Sequence, residues 1–222
     1  MADALFLSRL QLRRDAPPAA LAPVLAPDDD NARIDLGHRL LWWVFSDGPS
    51  RRRDFLWREE DRGRYLALSR RPPQDCHGLF EIETNSFDPA LSEGDHLRFA
   101  LRANAVATRK DESGKARRRD LVLEGLRQFP KAEFALHRDR IATEVGASWL
   151  RAQGEKLGFD LQSCAAIAYR KVKLQRAIVL GQLDLKGTLK VRSPELFLQS
   201  LAHGFGKAKG FGCGLMLIRR AY

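Results

Sequence analysis

The chain has 222 residues, 44% of them hydrophobic and 30% charged, which allows one large core or two small ones and excludes a membrane-like composition. The formal net charge of +10 favours polyanionic partners, chiefly nucleic acid. Cys76, Cys164 and Cys213 are too few and too far apart for a disulfide framework or a zinc knuckle, and are read as free thiols.

Leu5, Leu7, Leu10 and Leu12, interleaved with polar residues, predict an edge or half-buried strand. Pro17, Pro18, Pro23 and Pro27 break regular structure, and Asp28 to Asp30 keep that loop solvated. A helix is predicted from Asp35 to Phe45, with Asp35 as N-cap or first-turn acid and Leu36, Leu40, Leu41, Trp43 and Val44 as its apolar stripe. His38 lies off that stripe beside Trp42, in a first turn whose backbone N–H groups are unpaired.

Arg53 to Arg58 and Arg64 to Ser69 read as strands joined by a hairpin turn over 59–63, and Leu79 to Glu83 as a short strand. His96 to Val106 alternates as a strand, and the basic segment Arg109 to Arg119 as an exposed loop. Helices are predicted over 120–128 and 141–153, with Pro130 between them. Strands follow over 165–173 and 177–185 around a basic turn, Arg170 to Arg176, and Thr188 to Val191 extends the sheet. Ser193 and Pro194 open a helix to about Ala202, and the last strand is Leu215 to Arg219.

The second half thus follows a βαββαβ order with one extra helix, and the first half follows it without an evident second helix. The expected fold is α+β, two tandem ferredoxin-like (RRM-like) domains: residues 1–88, a linker over 89–95, and residues 96–222. The N-terminal residues lack the long apolar core of a signal peptide, and no stretch approaches the ~20 apolar residues of a bilayer span, so a cytoplasmic protein without a membrane partner is expected.

Gly204 to Gly214 holds five glycines in eleven positions with Lys207 and Lys209 among them, a composition that lets backbone approach a phosphate strand closely. The spacing matches neither a Walker loop nor the dinucleotide fingerprint, and Lys209-Gly210-Phe211-Gly212 matches only the start of the RNA-recognition RNP1 pattern. Gly206, Lys207 and Lys209 are candidate RNA contacts; a plain structural glycine turn is the other reading. Arg170, Lys171, Lys173 and Arg176 form a basic hairpin suited to a nucleic-acid groove, or else a solvated turn. The five histidines, His38, His77, His96, His137 and His203, form no metal-spaced pair, and neither a metal nor another cofactor is expected.

Gly37-His38-Arg39-Leu40-Leu41-Trp42-Trp43-Val44-Phe45 resembles the His-Arg-Leu-Leu-Trp helix of the CasE family, the CRISPR RNA-processing subunits of type I-E Cascade. Arg53 to Arg58, Leu97 to Asn104 and Gly206 to Leu215 resemble further blocks of that family, in the same order. The resemblance implies metal-independent cleavage of the CRISPR repeat hairpin in precursor crRNA, retention of the mature crRNA, and assembly with other Cascade subunits. It implies His38 as the catalytic residue and a basic hairpin at Arg170 to Arg176. Some relatives carry a tyrosine three residues before the histidine. Here that residue is Asp35, which could orient His38 but cannot donate a phenolic proton.

The chemistry so implied is attack of a ribose 2′-OH on the adjacent phosphate, with His38 as general base or acid and Arg39 and Lys207 as candidate charge stabilisers. Two further readings are a non-catalytic RNA-binding subunit of a CRISPR ribonucleoprotein and a DNA-binding protein. No helix-turn-helix pattern supports the latter.

Overall fold

The computed structural model describes residues 4–13, 15, 30–46, 48, 51–110, 113–174 and 179–221. The proline-rich segment 16–29 and the basic-turn residue Arg176 lie outside them.

Two four-stranded antiparallel sheets carry the fold. The first half runs β1 (Phe6–Leu12), α1 (Asp30–Phe45), β2 (Phe55–Asp61), β3 (Arg64–Ser69) and β4 (Phe80–Ser86). The second half opens with β5 (His96–Asn104), β6 (Val106–Lys110), β7 (Ala116–Asp120) and α2 (Leu121–Leu126). It continues with α3 (Phe134–Leu157), β8 (Phe159–Lys173), β9 (Val179–Val191), α4 (Pro194–His203) and β10 (Met216–Arg220). The sheet orders are β2-β3-β1-β4 and β10-β5-β9-β8. Each places the first strand of its half between the fourth and third, the arrangement a βαββαβ chain produces. The protein is α+β, built of two tandem ferredoxin-like units. The first lacks its second helix, because Pro72 and Pro73 leave 70–79 without helical structure.

The first sheet is buried on both faces. On one, Leu10, Phe55, Trp57, Tyr65, Ala67 and Phe80 pack under Leu36, Leu40, Leu41, Val44 and Phe45 of α1. On the other, Leu5, Leu56 and Leu68 meet Leu215, with Leu198 of α4 and Leu217 of β10 alongside. That second contact fuses the halves through apolar burial, at about 25 cal/mol per Å². The second sheet packs Leu97, Phe99, Leu101, Leu183, Leu185 and Leu189 against Ile141, Leu150, Phe197 and Leu201 of its helices.

Several elements depart from the sequence expectation. Helix α1 starts at Asp30, so Asp35 is not its N-cap and His38 lies mid-helix, with its backbone N–H inside the helical ladder. Trp43 is 43% exposed against the ring of His77, and Phe45 fills the core instead. The basic run 109–119 is mostly a β-hairpin, β6 paired with β7, rather than a loop. Helix α3 extends from Phe134 to Leu157, and the C-cap Gly158, with φ of 84°, gives the left-handed end that launches β8 directly. Strand β9 is continuous through Gly187, where a Cβ would stand 2.0 Å from the Ser163 carbonyl oxygen, beside the bulge in β8.

Candidate active site and nucleic-acid interface

Helix α1, strand β2 and the glycine loop meet at one carbonyl. Within the loop, Phe205 donates to the Gly214 carbonyl at 2.9 Å and Gly214 to the Arg102 carbonyl at 2.7 Å, which ties both ends of the loop to the second sheet. Ala208 (φ 60°) and Gly212 (φ 76°) reverse the backbone on either side of a short 3₁₀ turn, Lys209–Phe211. That turn holds out the Gly210 carbonyl, which receives hydrogen bonds from His38 Nδ1 at 2.7 Å and from Trp57 Nε1 at 3.1 Å.

A carbonyl oxygen only accepts, so His38 carries a proton on Nδ1. Nε2 is then the nitrogen free to exchange a proton. The imidazole is half-buried, stacked on Phe211 at 5.0 Å between ring centroids and edge-on to Trp42 at 6.3 Å. Gly37 lets α1 settle this close, because a Cβ there would lie 2.8 Å from the Trp57 ring. The orienting role open to Asp35 is filled at Nδ1 by the main chain.

A second cluster lies along the same end of the second sheet. Arg102 donates through Nε and Nη2 to both Asp184 oxygens, at 2.7 and 3.0 Å, and through Nη1 to the Glu59 carbonyl at 3.3 Å. Arg170 joins Asp184 at 2.9 Å. Burial pushes the Asp184 carboxyl up, but Arg102, Arg170 and Arg58 outweigh it and hold the group below its usual range. Arg58 is itself lowered by burial and by Arg102, and among the described residues its buried Nε and Nη1 have no hydrogen-bond partner.

The other candidates separate into three places. Arg39 is exposed on α1. Lys171 and Lys173 are exposed near the end of β8 next to Arg170, within the strand expected over 165–173. Lys207 and Lys209 line a groove whose wall does not include His38, and Lys209 Nζ donates to the His203 carbonyl at 2.8 Å. Gly206 (φ 72°) is required by its left-handed backbone and by the Trp149 ring, which a Cβ would approach to 2.9 Å. All three cysteines are free, and burial pushes the thiols of Cys164 and Cys213 up to about 11 and about 12, so neither is a thiolate near neutrality. Among the described residues, no three His, Cys, Asp or Glu side chains converge on a common point.

Residues 5–220 match the family described as CRISPR associated protein. The chain belongs to this family. The Cascade subunit CasE of Escherichia coli (strain K12) is 24% identical over 197 residues, covering 81% of this chain and 88% of that protein. CRISPR endoribonuclease Cse3 bound to a 19-nucleotide RNA shares the fold with a TM-score of 0.70 at 25% identity, covering 99% of this chain and 100% of that one. Cas6e of Escherichia coli K-12 matches with a TM-score of 0.65 at 20% identity, covering 97% and 100%.

Within this CRISPR-associated protein, sequence reasoning singled out His38 and the glycine loop, which the structure brings together, but not the contact that joins them. Trp57 reads from sequence as an ordinary core residue of a strand, and it is 2% exposed. Its partner carbonyl lies 153 residues away, so no local pattern marks the contact. Asp184 carries a faint signal, the one acid in a strand that otherwise mixes apolar residues with Gln182, Lys186, Thr188 and Lys190.

Proposed function

We propose that the protein is an endoribonuclease that cuts the repeat hairpin of precursor crRNA and keeps the product as a Cascade subunit. The observation that carries this reading is His38, fixed through Nδ1 by the Gly210 carbonyl and stacked on Phe211. Family membership and the likeness to RNA-bound Cse3 support it.

In the proposed step a ribose 2′-oxygen attacks the adjacent phosphorus as its proton leaves. The bond from phosphorus to the 5′-oxygen breaks, and that oxygen takes up a proton. The products are a 2′,3′-cyclic phosphate and a 5′-hydroxyl, with no metal required. His38 Nε2 accepts the first proton when the ring is neutral or supplies the second when it is charged, an effect of about 10²–10⁴ in rate. Arg39, Arg170, Lys171, Lys173 and Arg176 neutralise the strand, with Gly206, Lys207 and Lys209 at the loop, and in-line positioning supplies much of the remainder.

The division into residues 1–88, a linker over 89–95 and residues 96–222 belongs to this reading, supported by the two separate sheets. So does a cytoplasmic location: no described helix is long and apolar enough to cross a membrane.

The test is His38→Ala with labelled repeat RNA. The variant is expected to bind the hairpin as wild type does and to cut it at least about 100-fold more slowly. Undiminished cutting rejects the assignment. Binding without cutting by the wild-type protein would favour the non-catalytic subunit instead.

A further inference from the structure

The glycine loop has two working sides. Gly210 and Phe211 meet His38, whereas Lys207 and Lys209 line a groove of about 1020 Å³ between α3, α4 and the loop. Trp149 and Gln153 of α3 and Leu196 and Gln199 of α4 supply much of its wall.

Positive charge concentrates at the loop end of this groove. Arg70, Lys207 and Lys209 line it together with the imidazole of His203, and Arg53 is close enough to act electrostatically on Lys209 and His203. Burial, then Arg53 and Lys207, hold the Lys209 ammonium below its ordinary value. Lys209, then burial and the arginines Arg53 and Arg70, lower His203. Among the described residues no carboxylate pairs with Arg53, Lys207 or Lys209. The acid in the described wall, Glu195, sits in the first turn of α4, about 12 Å of helix away from His203. Crowded cations with no carboxylate among them repel one another in the free protein, and an arriving anion relieves that repulsion.

We propose that the loop end of this groove is a phosphate-binding site, built from Arg53, His203, Lys207 and Lys209, that grips the backbone of single-stranded RNA continuing beyond the hairpin. The inference rests on the RNA-cleavage reading above and adds a second place where the RNA is held. The groove runs on along α4 past the cations, which suits a strand rather than a lone ion. Contact through phosphates alone makes the grip indifferent to sequence. The same loop then feels both the flanking strand, through its lysines, and the reacting ribose, through Gly210 and His38.

The test compares dissociation constants for three repeat hairpins carrying a deoxyribose at the scissile nucleotide: one bare, one extended at the 5′ end and one at the 3′ end by about ten nucleotides. One of the two extensions is expected to tighten binding about tenfold at low salt. It should also steepen the slope of log K against log salt by about 2, from three phosphates at ~0.7 each. Lys207→Glu, on an exposed side chain, should return the extended RNA to the affinity of the bare hairpin, and the double variant Arg53→Gln/His203→Gln should do the same. Equal affinity of wild type for all three RNAs overturns the inference, as does a Lys207→Glu protein that keeps the gain. Perturbation of His203 by inorganic phosphate, with no gain from either extension, assigns a small-anion site and also overturns it. Cutting of the bare all-ribose hairpin by wild type is scored in parallel: its absence removes the cleavage reading, whereas cutting without an extension effect removes the groove alone.

Discussion

Trp57 and His38 donate to the same carbonyl oxygen, that of Gly210, although one residue comes from a strand and the other from a helix. The shared acceptor fixes the imidazole tautomer by an atom that cannot titrate. It also ties the first sheet to a loop belonging to the second unit, so the site exists only when both halves are docked.

Trp57→Phe keeps most of the ring and removes the indole N–H. A hydrogen bond of about 1 kcal/mol corresponds to about fivefold in rate. We expect the single-turnover cleavage rate to fall by about that factor with hairpin affinity unchanged. Single-turnover cleavage at saturating protein, with a parallel binding titration, checks this. A folded variant with the wild-type cleavage rate would show that Trp57 only packs.

Gly37→Ala tests the close approach of α1. The added Cβ would lie 2.8 and 3.0 Å from two atoms of the Trp57 ring and 3.2 Å from the Tyr65 ring. Overpacking costs about 1–3 kcal/mol, offset in part by about 1 kcal/mol of helix propensity. The expected result in urea unfolding is a net loss near 1 kcal/mol, together with a drop in cleavage measured well below the unfolding transition. A variant more stable than wild type contradicts the packing argument.

Asp184→Asn tests the ion cluster. Its folded-state pKa is lowered, so its contribution is present above the unfolded value near 3.9 and is lost as pH falls through the folded value. Removing the charge leaves Arg102 and Arg170 without their shared carboxylate, at a cost of about 3 kcal/mol at pH 7. The difference from wild type should shrink as pH is lowered from about 5 toward 2. Urea midpoints over that range provide the check, and a difference that stays constant with pH contradicts it.

Local signals carried a large part of this structure. Alternation in β1 and β5, the proline break before β4 and the Ser193-Pro194 helix start all act within a few residues, and both sheets follow from them. Gly158 was an available stop signal for α3, and it shows why β8 begins earlier than alternation alone suggests. The first turn of α1 is polar, so no apolar stripe marks its start at Asp30. The β6–β7 hairpin resembles a solvated basic run because its pairing lies within a two-stranded sheet with little core to bury. At the site, His38 and Gly210 are 172 residues apart, and only the docking of the two units joins them.

The chemistry of the RNA ends tests the account most directly. Purified protein is incubated with an all-ribose repeat hairpin in EDTA, and the fragments are weighed by mass spectrometry. The account predicts one fragment ending in a 2′,3′-cyclic phosphate and the other beginning with a 5′-hydroxyl. Fragments with a 3′-hydroxyl and a 5′-phosphate, or cutting that persists when the scissile 2′-hydroxyl is replaced by hydrogen, would contradict it.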